Sequence, residues 1–207
     1  MEFLKKTITL MILLFVVSTS KAQVNQEKLE QAFAQSYQLE GAKSYLASID
    51  VMKQVYDRSS YEINLRLGWL YYLSGRFDES VTYYSRALQL KPYSEEARNG
   101  LILPKTAQGY WNEVVEIYAY ILENNPNNTV AMFRLGMVYY ERRSYDKALP
   151  LFKKVVDLYP FDYDGLLMLG WTCYFTGNYN HAKVLFNKVK LHNPDDESAN
   201  QGLQLIK

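Results

Sequence analysis

A 34-residue period constrains this chain more than any single residue does. Gly41, Gly75, Gly109 and Gly177 fall on one grid of that spacing, on which Arg143 alone breaks the glycine series. Tyr84, Tyr118, Phe152 and Phe186 form a second series, and Pro92, Pro126, Pro160 and Pro194 a third. A chain that repeats itself at this interval builds one supersecondary unit several times over. No such unit can bury its apolar face alone, so the units must stack.

With the frame set at Tyr61, the repeats span 61–94, 95–128, 129–162 and 163–196. Position 7 reads Leu67, Leu101, Leu135 and Leu169; position 8 reads Gly68, Ile102, Gly136 and Gly170; position 11 reads Tyr71, Lys105, Tyr139 and Cys173. Together with position 4, these recur at helical spacing and turn one face inward. Glycine at position 8 weakens a helix by about 1 kcal/mol, which close approach of a neighbouring helix must offset. Gly-x-aromatic at positions 15–17 (Gly75-Arg76-Phe77, Gly109-Tyr110-Trp111, Gly177-Asn178-Tyr179) turns the chain, because glycine accepts the left-handed conformation that ends a helix. The second helix carries Ser80, Val114, Ala148 and Ala182 at position 20, aromatics at 24, and Ala87, Ile121, Val155 and Val189 at 27. Proline at position 32 stops it, since proline cannot continue the hydrogen-bond ladder.

These residues resemble the tetratricopeptide repeat family, whose pattern is Leu-Gly at 7–8, Tyr at 11, Ala at 20, Phe or Tyr at 24, Ala at 27 and Pro at 32. Repeats 61–94, 129–162 and 163–196 match well, and 95–128 matches in its second half only; together they cover 136 of 207 residues. The resemblance implies an all-α, right-handed α-α superhelix of about five helical hairpins plus a C-terminal capping helix. Such stacks usually bind other proteins rather than catalyse, so it constrains fold more tightly than function.

The flanks fit the same arrangement. Phe33, Ala34 and Tyr37 lie on the grid at positions 7, 8 and 11, while Tyr45, Ile49, Met52 and Val55 form an amphipathic helix about two residues off the frame. Residues 25–60 are expected to be a degenerate first repeat that caps the stack. Residues 197–207 are expected to be a capping helix that covers the last repeat with Ala199, Leu203 and Ile206. The first 22 residues read as a secretory signal peptide: Lys5 and Lys6, the apolar run Ile8 to Val17, then Ser20 and Ala22 at the small-residue positions. Cleavage before Gln23 would leave residues 23–207 as a single exported domain, periplasmic or secreted. The apolar run is about half of what a membrane span needs, so no membrane insertion is expected after cleavage.

The whole chain carries a formal charge of +1, and removing Lys5, Lys6 and Lys21 with Glu2 leaves the remainder near −1. That balance offers no electrostatic case for nucleic acid or an acidic membrane surface. The single cysteine, Cys173, excludes an internal disulfide framework. It replaces tyrosine at an inward position and reads as a small buried hydrophobe. His181 and His192 stand alone in the sequence, so no metal and no cofactor are expected. Asn193-Pro194-Asp195-Asp196-Glu197 reads as a turn that feeds negative charge into the start of the last helix. Pro104, in the first helix of the weak repeat, predicts a kink or break there. No nucleophile elbow, phosphate-binding glycine loop, zinc-protease motif or Cys–His pair is legible, and no enzyme activity is expected.

In the family that the pattern resembles, positions 5, 9 and 12 of the first helices line the concave face. Here they read Leu65, Trp69, Tyr72; Asn99, Leu103, Thr106; Phe133, Met137, Tyr140; and Leu167, Trp171, Tyr174. Position 6 adds Arg66 and Arg134. An apolar, aromatic strip flanked by arginine suits a peptide or helical segment of another protein, with the arginines taking acidic side chains or a terminal carboxylate. The competing reading is that Trp69 and Trp171 only fill gaps between hairpins. Two roles follow: an exported interaction scaffold that binds in this groove, or a structural subunit of an envelope-associated complex held through convex or end surfaces. A homo-oligomer is compatible with either.

Overall fold

The computed structural model describes residues 26–206, and the signal-peptide expectation lies outside them. Eleven helices and no strand are found among the described residues. They are α1 (26–41), α2 (Tyr45–Gln54), α3 (Tyr61–Leu73), α4 (Phe77–Leu90), α5 (Glu95–Ala107), α6 (Trp111–Asn124), α7 (Thr129–Glu141), α8 (Tyr145–Leu158), α9 (Tyr163–Phe175), α10 (Tyr179–His192) and α11 (Glu197–Leu205). The chain divides into two compact units between Gln108 and Gly109. The N-terminal unit holds α1–α5 and the C-terminal unit α6–α11, so the division falls inside the repeat with the weakest pattern.

Every repeat opens the same way. Ser60, Ser94, Asn128, Asp162 and Asp196 occupy position 34, and each side chain accepts a hydrogen bond from a backbone N–H in the first turn that follows. Each cap satisfies a donor that the helix start cannot pair, a contribution of about 1 kcal/mol. Tyrosine at position 1 ties one repeat to the next: Tyr61 Oη lies 2.6 Å from Ser94 Oγ, and Tyr163 Oη donates to Asp196 at 2.5 Å. The second helices end at position 30 in every repeat, two residues before the proline.

The hairpin turns also share one geometry. Gly75, Gly109 and Gly177 sit at φ +76°, +76° and +80°. Arg143, the residue that breaks the glycine series, adopts the same left-handed conformation at φ +57°. After Gly75 the N–H of Arg76 donates back to Tyr71 O at 2.9 Å, and after Arg143 the N–H of Ser144 donates to Tyr139 O at 2.8 Å. The turn therefore dictates the conformation, and arginine bears the strain that glycine avoids.

The core is built by aromatic rings lying against glycine. A Cβ on Gly68 would come within 2.9 Å of the Tyr84 ring, one on Gly136 within 2.8 Å of Phe152, and one on Gly170 within 2.8 Å of Phe186. Two more glycines complete the contact from the following helix. Gly100 closes on the other side of Tyr84, and Gly202 on the other side of Phe186, each so tightly that a Cβ would overlap the ring. Positions 20 and 27 are buried in all four repeats. In the N-terminal unit Ile63, Leu67, Leu70 and Tyr71 pack with Ala32, Ile49 and Met52; in the C-terminal unit Phe152, Leu166, Leu169, Cys173, Leu185 and Phe186 form the core.

Two expectations change. The first hairpin is shifted as a whole, not only in its second helix. The buried Ser48 donates to Ser36 O at 2.9 Å, as Ser80 donates to Gly68 O at 2.7 Å, and Lys43, at φ +57°, turns the chain where Gly75 does. All three pairs are 32 residues apart. Gly41 thus lies inside α1 at ordinary φ, Ala32 and Ser36 are buried, and Ala34 and Tyr37 face solvent. The two missing residues come from α2, which has 10 residues against the 14 of α4, while the connection at 55–60, without a proline, is longer than the one at 91–94. The second concerns the break expected at Pro104, which does not occur: Pro104 is buried within an unbroken α5.

Replacing Gly100 or Gly202 with alanine should lower the unfolding free energy measured in urea. Overpacking of the buried ring costs about 1–3 kcal/mol, against a gain of about 1 kcal/mol in helix propensity. Arg143→Gly should raise stability by roughly 1 kcal/mol by relieving the left-handed strain.

Candidate functional site

The expected groove residues divide between the two units. Leu65, Arg66, Trp69 and Tyr72 belong to α3; Phe133, Arg134, Met137 and Tyr140 to α7; Leu167, Trp171 and Tyr174 to α9. All are partly accessible except Arg66, which is buried, and Arg134, which is exposed. Asn99, Leu103 and Thr106 lie on α5.

Arg66 does not offer a free charge. Its Nη1 is paired with Glu40, its Nε donates to Ser36 Oγ at 2.8 Å, and its guanidinium lies 3.9 Å from the centre of the Tyr37 ring. Its Nη2 is buried without an acceptor among the described residues. Glu40 also accepts from Trp69 Nε1 at 2.7 Å. Both groove residues are thus tied to the first hairpin by one carboxylate. The same device appears at the other end of the chain, where Trp171 Nε1 donates to Ser198 Oγ of the capping helix at 2.8 Å. The two tryptophans expected to anchor a partner also secure the caps, each with its ring partly accessible.

Aromatic contacts extend this packing. Tyr72 lies 5.7 Å from Trp69 and 6.0 Å from Phe77. In the C-terminal unit Trp171, Tyr174, Phe175, Tyr140 and Tyr145 form a continuous cluster, with Tyr145 stacked on Phe175 at 4.6 Å. Burial pushes the Tyr140 phenol up to about 12. Phe133 meets Phe152 edge-on at 5.6 Å.

Each unit also holds an open cavity. The first, about 550 Å³, is lined by Phe33, Tyr37, Tyr61, Leu65, Trp69 and Tyr84 with Glu62, Arg66 and Glu96. Burial, then the nearby Glu96 charge, raises the Tyr84 phenol above its usual range. The second, about 340 Å³, is lined by Thr129, Val130, Phe133, Arg134, Val155 and Tyr159 with Asp162 and Asp164. Both are bounded by positions 1, 2, 5 and 6 of one repeat and by the acidic position 2 of the next. The expectation placed binding at positions 5, 6, 9 and 12; positions 5 and 6 line both cavities and position 9 only the first, so the cavities sit nearer the helix starts. Glu96 and Asp164 went unnoticed as a pair, although their 68-residue separation, two periods, was available in the sequence.

One pair that looked absent in sequence forms in space. Cys173 Sγ lies 3.6 Å from His181 Nδ1 across the hairpin turn. The geometry resembles a nucleophile and base, but the chemistry does not follow. Cys173 is buried, and burial pushes its thiol up to about 11, away from the thiolate that a nucleophile requires. Among the described residues no group of three or more His, Cys, Asp or Glu could hold a metal ion, and no helix is long and apolar enough to cross a membrane.

Glu40→Gln should lower stability by about 1–3 kcal/mol, because it leaves the buried Arg66 charge without its counterion. Hydrogen exchange should accelerate in α1 and at the Trp69 indole. Cys173 should react with iodoacetamide at pH 8 over about a hundredfold more slowly in the folded protein than in urea, since roughly one thiol in a thousand would be ionised.

Comparison with known proteins agrees with the fold. Family models described as tetratricopeptide repeat match residues 61–94 and 139–205. A tetratricopeptide repeat protein from Parabacteroides merdae ATCC 43184 superposes with a TM-score of 0.74 at 18% identity, over 87% of this chain and 72% of that one. YrrB, described as a TPR protein with an unusual peptide-binding site, gives 0.69 at 19% identity, over 90% and 97% of the respective chains. MamA gives 0.69 at 19% identity, over 83% and 96%. Among curated proteins, human protein O-mannosyl-transferase TMTC1 is 30% identical over 93 residues, 45% of this chain. The chain spans about a tenth of that protein's length (10%), so the likeness does not extend to it as a whole. The chain carries tetratricopeptide repeats, and its helical hairpins take the fold of solved tetratricopeptide proteins.

Proposed function

We propose that the protein is an exported scaffold whose first helices bind a segment of another protein. The observation that carries this reading is the pair of open, aromatic-lined cavities on repeat-equivalent positions, one in each unit. Rigid, pre-packed helices lose little entropy on binding, which favours recognition of a segment that orders on contact. The peptide-binding site for which YrrB is described supports the same mode in a protein of this fold. Export rests on the basic, apolar and small-residue order of the first 22 residues. Binding, rather than catalysis, is the activity proposed, and no cofactor is invoked.

A second reading, a structural subunit of an envelope-associated complex, is favoured by a different observation. Several large apolar residues off the proposed groove are strongly exposed, among them Tyr93 at 81%, Leu191 at 72% and Leu46 at 60%. Contacts through such surfaces would leave the groove incidental.

One experiment separates the two. Leu65, Val130 and Phe133, which line the two cavities, are changed together to alanine, sparing Trp69 because it holds the cap, and circular dichroism confirms retained helicity. Capture from a native envelope extract should lose the principal partner if the groove binds it. Retention of that partner would favour the structural subunit. N-terminal sequencing of the protein recovered from its native cell should begin at Gln23; a start at Met1 would remove the case for a cleaved signal.

A further inference from the structure

The two cavities are equivalent in their charge as well as their position. In the first, Arg66 is already neutralised by Glu40, and Glu62 lies 3.4 Å from Lys91. Glu96 is left with only the Tyr61 hydroxyl, 3.2 Å away, and no cationic partner among the described residues. In the second, Asp162 accepts from the backbone N–H of Gly165 at 2.7 Å, and among the described residues Arg134 is the one cation in the lining against Asp162 and Asp164. Each cavity therefore combines aromatic or aliphatic walls with one excess negative charge, supplied from position 2 of the following repeat.

This charge bears on what can enter. A purely apolar guest would strip water from Glu96 or Asp164 without compensation, and an acidic guest would add repulsion. A lysine or arginine side chain meets both demands. Its alkyl stem covers Leu65 and Trp69, or Phe133 and Val155, while its cation reaches the carboxylate and the ring faces. We propose that these cavities are duplicate seats for basic side chains of a partner protein's segment. The inference rests on the scaffold reading above and deepens it. It reverses the sign expected from Arg66 and Arg134, which had pointed to an acidic ligand.

The competing explanation for Glu96 and Asp164 is local: both stand in the first turn of a helix, where negative charge opposes the macrodipole. A display library of random short peptides, panned on the full chain, separates these cases. Peptides rich in lysine or arginine beside apolar residues should be enriched, and binding of the best of them should weaken as salt rises. The paired variant Glu96→Gln and Asp164→Asn, both exposed positions, should keep its helicity and bind that peptide roughly tenfold more weakly. Basic peptides indifferent to the paired variant would overturn the inference and leave the carboxylates as helix-start charges. Enrichment of acidic or uncharged peptides would overturn it while the scaffold reading stands. No enrichment at all would count against both.

Discussion

An aromatic ring held between the backbones of two successive first helices is the contact on which the rest of this structure depends. Tyr84 lies against Gly68 and Gly100, and Phe186 against Gly170 and Gly202. Because glycine offers no Cβ, the ring packs directly on helix backbone, and the neighbouring helices come close around positions 20 and 27 of those two repeats. The glycines weaken their own helices, by about 1 kcal/mol each, and the packing they permit more than offsets it. Where this device is missing, the repeat is less regular: in 95–128, position 8 is Ile102 and position 11 is Lys105, and the division between the two compact units falls there.

The first hairpin of one unit and the last helix of the other are secured by polar bonds from tryptophan. Trp69 and the buried Arg66 share Glu40 at the first hairpin, and Trp171 reaches Ser198 at the last helix. These residues occupy positions where a partner was expected to bind. The indole N–H groups are already bonded within the fold, as are Nε and Nη1 of Arg66, and only the outer surface of each indole remains for recognition. The charge left over in the first cavity is therefore acidic, because Arg66 is paired with Glu40 while position 2 of the following repeat adds Glu96.

Burial also decides the chemistry of single side chains. Cys173 and His181 approach as a reactive pair would, yet the low-dielectric surroundings of the thiol hold it protonated. Proximity alone does not make a nucleophile. The same principle governs Tyr84 and Tyr140, whose phenols are raised because the anion would be stranded among apolar neighbours.

The period and its residue types were enough to derive the hairpins, their ends and their inward faces. Each of those features follows from local physics: proline stops a helix, a left-handed residue turns it, and a face repeats every three to four residues. The capping residues at position 34 obey the same local rule. What lay beyond sequence depends on contacts between distant segments. The 32-residue register of the first hairpin, the capture of Arg66 by Glu40 and the meeting of Cys173 with His181 follow from how helices pack. Sequence by itself thus determined which elements form and which faces turn inward, because those preferences are local and recur with the period. Tertiary structure alone decided which charges are spent inside the fold and which remain for a partner, because that depends on through-space pairing and on how much water each group retains.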